Sequence, residues 1–249
     1  MNTLLSSHNF LTENQGIQDV ATRRSLATSL ETKAEILGLL ANDEDFYVRR
    51  AVAQHPNTTI SALAQLSHDT EAQIRFFVAI NPNTTTEFLN KLALDKYGEI
   101  RAQVAKSPNI MIELLEELAE DDYSETQYQV ANNLSTPSYV LEKLAKKYLE
   151  LAEAQQLWSC QAAVLSAIAQ NGNTPVAILD QICSINNIDN QYWLLSLDVA
   201  KNPKAPTYLL QQLADHEDID VRRAVARNVN TPQFVIDSLT KDLEKSRCR

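Results

Sequence analysis

Arg23, Arg49, Arg75, Arg101 and Arg222 recur at matching places along this 249-residue chain. Four residues ahead of four of them stands an acid: Asp19, Asp45, Glu71 and Asp218. The acid occurs only in copies that carry the arginine. Residues four apart share one face of a helix. The spacing therefore predicts an ion pair in each copy, with the acid on the N-terminal side where it also suits the helix dipole. Stacked copies would turn such pairs into a structural ladder. An exposed pair contributes only about 0–1 kcal/mol, and a network does better. A second chemistry is open to the same arginines: a basic stripe that grips an acidic partner.

Few other residues have the spacing of a reactive site. Cys160, Cys183 and Cys248 are too few and too scattered for a disulfide framework or a zinc site, which suits a reducing, cytoplasmic setting. His8, His55, His68 and His216 show no metal or triad pairing. There is no Walker loop, dinucleotide fingerprint or nucleophile elbow. Met111 to Glu125 carries seven acids and no Lys or Arg, but lacks the alternating, glycine-containing loop of a calcium site, and reads as a solvated face. No catalytic residue, metal or cofactor is expected. The net charge of −10 opposes non-specific binding to nucleic acid or anionic membranes. The first residues lack the basic start and apolar core of a signal peptide. No stretch approaches the roughly 18 continuous apolar residues of a membrane span.

The elements that carry the arginines follow from a repeat. An apolar residue followed by Ala occurs at Leu26, Val52, Val78, Val104, Val130, Ile168, Val199 and Val225. The spacings are 26, 26, 26, 26, 38, 31 and 26. Ala in all eight copies marks a place where helices approach too closely for a larger side chain. Eleven and fourteen residues on come apolar pairs such as Leu37–Leu40, Leu63–Leu66 and Leu89–Leu92, the stripe of a second helix. Between the two blocks lie breakers: "HPNT", "NPNT", "SPNI", "NLST", "NGNT", "NPKA" and "NVNT". Their polar column, Asn81, Asn133, Asn171, Asn202 and Asn228 with His55, Ser29 and Ser107 as substitutes, can bond the backbone of the corner. Thr58, Thr84, Thr136, Thr174 and Thr231 are expected as N-caps of the second helices, with Pro137, Pro175, Pro206 and Pro232 at the first helical position. Thr84 and Glu87 have the spacing of a capping box.

The expected fold is all-α: a solenoid of about eight 26-residue helix–corner–helix units spanning 19–242. Residues 1–18 form an N-terminal extension and 243–249 a tail. The extra residues enter near 146–158 and 186–191. The phrases "VRRAVAQHPNTTISALAQL" (Val48–Leu66), "IRFFVAINPNTTTEFLNKL" (Ile74–Leu92) and "VRRAVARNVNTPQFVIDSL" (Val221–Leu239) resemble the leucine-rich repeat variant family. The resemblance implies short α and 3₁₀ helices alternating in a right-handed superhelix. Some members carry a cysteine-rich iron–sulfur segment at the N-terminus; no cysteine precedes Cys160 here, so that cofactor is not implied.

The middle of the array departs from its own pattern. The arginine column becomes Gln127, Leu165 and Ser196. Leu194 stands where other copies have Tyr47, Gln73, Glu99, Glu125 and Asp220, and Leu197 where they have Arg24, Arg50 and Arg223. Trp158 and Trp193 precede the first helices of these copies. Apolar and aromatic residues in place of charges compose the centre of an interface; alternatively the insertion folds back and covers them. Phe76 and Tyr128 share the Leu197 column and extend the line. The expected function is a non-enzymatic protein–protein interaction scaffold, with another protein as partner at Tyr128, Trp158, Trp193, Leu194, Leu197 and Phe76. The alternatives are a helical-repeat lyase of the phycobilin type, or a nucleic-acid binder, which the acidic balance disfavours.

Overall fold

The computed structural model describes residues 19–154, 159–186 and 193–247. The expected N-terminal extension, Trp158 and nearly all of the second insertion lie outside the described residues, as does Cys248. Among those described, every regular element is an α-helix and there is no strand. The chain divides into two compact units, Met1–Asn109 and Ile110–Arg249.

The first unit holds α1 (Val20–Thr28), α2 (Ala34–Leu40), α3 (Phe46–Gln54), α4 (Ile60–Leu66), α5 (Ala72–Ile80), α6 (Thr86–Leu92) and α7 (Gly98–Lys106). The second holds α8 (Ile112–Leu118), α9 (Ser124–Asn132), α10 (Ser138–Glu153), α11 (Ser159–Gln170), α12 (Val176–Asn186), α13 (Trp193–Lys201), α14 (Thr207–Leu213), α15 (Ile219–Arg227) and α16 (Gln233–Arg247). These are eight helix–corner–helix pairs in succession, as the 26-residue period requires. The 3₁₀ helices implied by the family resemblance do not occur among the described residues; even the seven-residue second helices, such as α4, are α. The tail expected from 243 instead continues α16 to Arg247.

In each unit the first helices of successive pairs pack on one another: α1 on α3, α3 on α5 and α5 on α7; then α9 on α11, α11 on α13 and α13 on α15. The marker residue and its alanine make that seam. Val52, Ala53, Val78, Val104 and Ala105 are fully buried in the first unit, as are Val130, Ala131, Ile168, Ala169, Val199 and Ala200 in the second. The second helices close the core with the paired leucines, of which Leu37, Leu63, Leu115, Leu141, Leu179 and Leu210 are fully buried. Helices of 7–9 residues are marginal alone in water, so their stability comes from this stacking.

The corners are built differently from the expectation. The threonine hydroxyls do not cap the second helix. They donate backwards to the carbonyl of the marker residue: Thr58 to Val52 at 2.5 Å, Thr136 to Val130 at 2.5 Å, and Thr231 to Val225 at 2.6 Å. Each satisfies a carbonyl left over at the end of the first helix. The N-cap is one residue later. Thr59 accepts from the Ala62 N–H, and Thr85, Pro137 and Pro206 hold the same place in extended conformation. The two prolines are therefore N-caps and not first helical residues. The Thr84–Glu87 capping box is not made: Thr84 donates to the Val78 carbonyl and Glu87 pairs with Lys91 at 3.1 Å.

Candidate functional site

The asparagine column stitches pairs to the ones before them within each unit. The Asn81 amide donates to the carbonyls of Ala53 at 2.7 Å and His55 at 3.1 Å, while its oxygen accepts the Asn83 N–H at 3.0 Å. Asn171, Asn202 and Asn228 repeat this on Ala131 and Asn133, on Ala169 and Asn171, and on Ala200 and Asn202. The next asparagine but one makes a second rung: Asn83 donates to the Pro56 and Thr58 carbonyls, and Asn230 to those of Pro203 and Ala205. In the buried Asn81, Asn171, Asn202 and Asn228 both amide hydrogens and the oxygen are in use, which fixes the column as architecture.

The arginine column also couples successive pairs, and this corrects the expected i, i+4 pairing. Arg49 Nε binds Asp69 at 2.7 Å and Arg75 Nε binds Asp95 at 2.5 Å; Arg23 Nε lies 2.7 Å from Asp43. Each partner stands 20 residues later, in the corner that opens the next pair. The other arm of the fork reaches the arginine's own corner: Arg49 Nη1 donates to the Asp43 and Glu44 carbonyls, Arg75 Nη1 to those of Asp69 and Thr70, Arg101 Nη1 to that of Asp95, and Arg222 Nη1 to those of His216 and Glu217. A planar guanidinium can serve two corners at once; an ammonium could not. The acids expected as partners do other work. Asp19, Asp45 and Asp218 cap their helices, accepting from Ala21 and Thr22, from Val48, and from Asp220 and Val221 respectively. Glu71 occupies the N-cap place without a side-chain cap bond. Asp45 further binds Arg24 of the preceding pair at 2.7 Å, and that guanidinium holds its carboxyl down at about 2. Asp43, Asp69 and Asp95 were missed, although an aspartate nine residues before the marker in four consecutive copies was visible.

In the second unit the ladder changes chemistry. Gln127 replaces arginine and donates to the Ala119 carbonyl at 2.9 Å and to that of Asp121 at 2.7 Å. Its oxygen accepts from the Tyr148 hydroxyl. The residues expected as an insertion near 146–158 lengthen α10 to 16 residues as far as Glu153 and carry the buried Tyr148 to that place. Burial pushes the Tyr148 phenol up to about 12, so it is a donor at neutral pH. Leu165 in the same column is fully buried.

Of the expected docking residues, Trp193, Leu194 and Leu197 stand together on α13. Leu194 is 54% exposed, while Trp193 and Leu197 are half-buried. Tyr128, also half-buried, stands on α9, with α11 between it and α13. Phe76 belongs to the first unit, where its ring meets Phe77 edge-on at 5.5 Å. No fold-back cover lies over Leu194 among the described residues. A groove of about 450 Å³ opens beside Leu197, between α13 and α15. A second cavity, of about 690 Å³, is lined by Asp180, Cys183, Ser196, Leu209, Asp215 and His216, among others. Its thiol is not activated: burial and the nearby Asp180 push Cys183 up to about 12, and burial pushes His216 down. Among the described residues no group of three or more His, Cys, Asp or Glu is placed to hold a metal ion, and no helix is long and apolar enough to cross a membrane.

Neither comparison with protein-family models nor comparison with curated proteins finds a match for this chain.

Proposed function

We propose that the chain is a non-enzymatic protein–protein interaction scaffold of the leucine-rich repeat variant type, working in the cytoplasm. Its partner docks on the first-helix layer of the second unit, around Trp193, Leu194 and Leu197. The observation that carries this is Leu194: a leucine 54% exposed on a column that five other copies fill with Tyr, Gln, Glu or Asp and the remaining two with Ala. One turn away Leu197, on a column that holds arginine in three other copies, stands half-buried at the rim of a groove. Clustered apolar side chains on a rigid, polar-rimmed surface are what an interface centre needs. The protonated, buried Cys183 supports a binding reading over nucleophilic catalysis, and the free thiols of Cys160 and Cys183 support a reducing compartment.

The test replaces Leu194 by Asp and Leu197 by Arg, the residues those columns hold in the last copy. Circular dichroism and the melting temperature should change little. A partner captured by the wild-type chain from its native cell, then purified and titrated in a calorimeter, should bind the double variant at least tenfold more weakly. Full-strength binding by the folded double variant refutes this docking site. If the double variant unfolds, Leu194→Asp alone, at the exposed position, decides the same question. A melting shift on adding bilin or DNA to the wild-type chain would count against the scaffold reading.

A further inference from the structure

The groove beside Leu197 is lined by more cations than carboxylates, against the balance of the chain as a whole. Leu197 and Lys201 stand four residues apart on α13, and Arg223 and Arg227 four apart on α15, so each pair shares one helix face. The two helices pack against each other, and Leu197 matches Arg223 and Lys201 matches Arg227 in the repeat register. The four side chains thus mark the corners of a rectangle about 6 Å along the helices and about 8–10 Å across them. The small, buried Ala224 makes the floor.

The lining holds three cations and one carboxylate, in a chain whose net charge is −10. That carboxylate, Asp220, is bound to Arg223 at 3.0 Å. Lys201 and Arg227 are exposed and make no ion pair among the described residues. The buried Asp198 beside Lys201 is already engaged, accepting from Ser166 at 2.5 Å and Gln170 at 2.9 Å. Elsewhere the arginines of the Leu197 column are spent within the chain, and where an exposed lysine recurs on the other column, Lys106 on α7, it has Ala102 and not a leucine beside it. In the first unit Arg24 is held by Asp45 and lies 4.5 Å over Tyr47, and Arg50 lies 5.2 Å over the Phe77 ring. On α9 and α11 the columns carry Tyr128, Asn132, Ser166 and Gln170, without charge.

We infer that this groove binds an acidic segment of the partner protein, in which two carboxylates bracket an apolar side chain. The carboxylates meet Lys201 and Arg227, and the apolar side chain packs on Leu197. Charge complementarity selects the occupant, and the leucine selects a peptide over a polyphosphate. A nucleic acid needs a long basic track and gains nothing from Leu197, and the surrounding acidic chain repels it. The inference rests on the docking reading above and adds the partner's chemistry.

The experiment measures fluorescence anisotropy of the full chain with three labelled probes: the peptide Glu-Leu-Glu-Glu-Leu-Glu, its counterpart with Lys for Glu, and an oligothymidine 12-mer. The acidic peptide should bind saturably and more weakly as salt rises, and the other two should not bind. Lys201→Glu combined with Arg227→Glu, both at exposed positions, should weaken the acidic peptide at least tenfold and admit the lysine peptide. Undiminished binding of the acidic peptide by the charge-reversed chain overturns the inference, as does a wild-type preference for oligothymidine or no peptide binding at millimolar concentration. The captured partner separates the two claims. If it is lost by the leucine double variant and kept at full strength by the charge-reversed one, docking stands and the acidic chemistry falls. If neither variant weakens it, both fall.

Discussion

At position 55 the chain uses a histidine where five other copies use asparagine. Its ring makes the same kind of bridge: Nε2 donates to the Ser29 carbonyl at 3.0 Å and Nδ1 accepts the Asn57 N–H at 3.0 Å. Those two bonds require the neutral ring with its proton on Nε2, since Nδ1 must stay an acceptor. Asparagine offers a second donor, which Asn81 uses on two carbonyls of the preceding pair. His55→Asn is therefore expected to be neutral or to stabilise by up to about 1 kcal/mol. His55→Ala, which takes their partner from the part-buried Asn57 N–H and Ser29 carbonyl, is expected to cost about 1–2 kcal/mol. Urea unfolding of the two variants decides it, and Asn costing more than Ala would contradict the bridge. The turn-bonding role of this column was legible in residue type alone. Which backbone it bonds was not, because a spacing of 26 does not say whether a side chain serves its own corner or its neighbour's. Thr58 and Thr84 show the same limit: a hydroxyl between two helices can accept from the second or donate to the first, and here it donates to the first.

Helices three and five show what the arginine column does at the scale of elements. Arg49 on α3 holds the corner before its own helix through two carbonyls and the corner before α5 through Asp69. The Asp69 side chain is only 8% exposed and that of Arg49 17%, so the pair is far from a surface bridge. Truncating the arginine strands a largely buried carboxylate, so Arg49→Ala is expected to cost about 2–3 kcal/mol and not the fraction of one expected of an exposed pair. A double-mutant cycle of Arg49 with Asp69 should give a coupling of about 1–2 kcal/mol, and one of Arg49 with Asp45 close to zero. The reverse order would restore the i, i+4 ladder. Sequence periodicity pointed to Asp45 because four residues is the helical repeat. Asp45 sits at the N-cap, however, where its own helix and Arg24 claim both oxygens. The inserted residues were likewise legible as an irregularity. That they lengthen α10 and bring the Tyr148 hydroxyl to Gln127 depends on packing across 21 residues, which no local pattern encodes.

Over the whole molecule the eight helical pairs follow directly from the period, because each column has one physical job repeated in each copy. The division at Asn109 interrupts no spacing. The corner Ser107–Ile110 alone lacks both the asparagine or histidine of one column and the threonine of the other among the internal corners, so the amide link back to the preceding corner and the hydroxyl bond at the end of α7 have no like-for-like group there.

The two units should therefore answer acid differently. In the first, the Thr22 hydroxyl and its N–H hold Asp19 down, and the Arg24 guanidinium holds Asp45 at about 2. Burial raises Asp95, but its bond to Arg75 and the Tyr97 N–H leaves it lowered overall. A carboxyl depressed by folding stabilises above its unfolded value, about 3.9, and that stability goes as pH falls through the folded value. In the second unit two groups oppose each other. Burial lowers His216 despite Asp218 and Glu217, so its contribution is lost as pH falls below about 6.5. Burial raises Asp198 despite Ser166, Lys201 and Gln170, so folding favours its protonated form and stability is gained on acidification. Amide exchange of the native chain should show protection in α1–α5 holding to about pH 4 and falling towards pH 2. Between about pH 6.5 and 4, Asp198→Asn should make protection in α11–α15 fall earlier than in the wild-type chain, and His216→Asn should make it fall later. The profile of α1–α5 should be the same in both variants. A shift of that profile by either substitution would mean that the units unfold as one, and the two pH responses would then merge into a single cooperative transition.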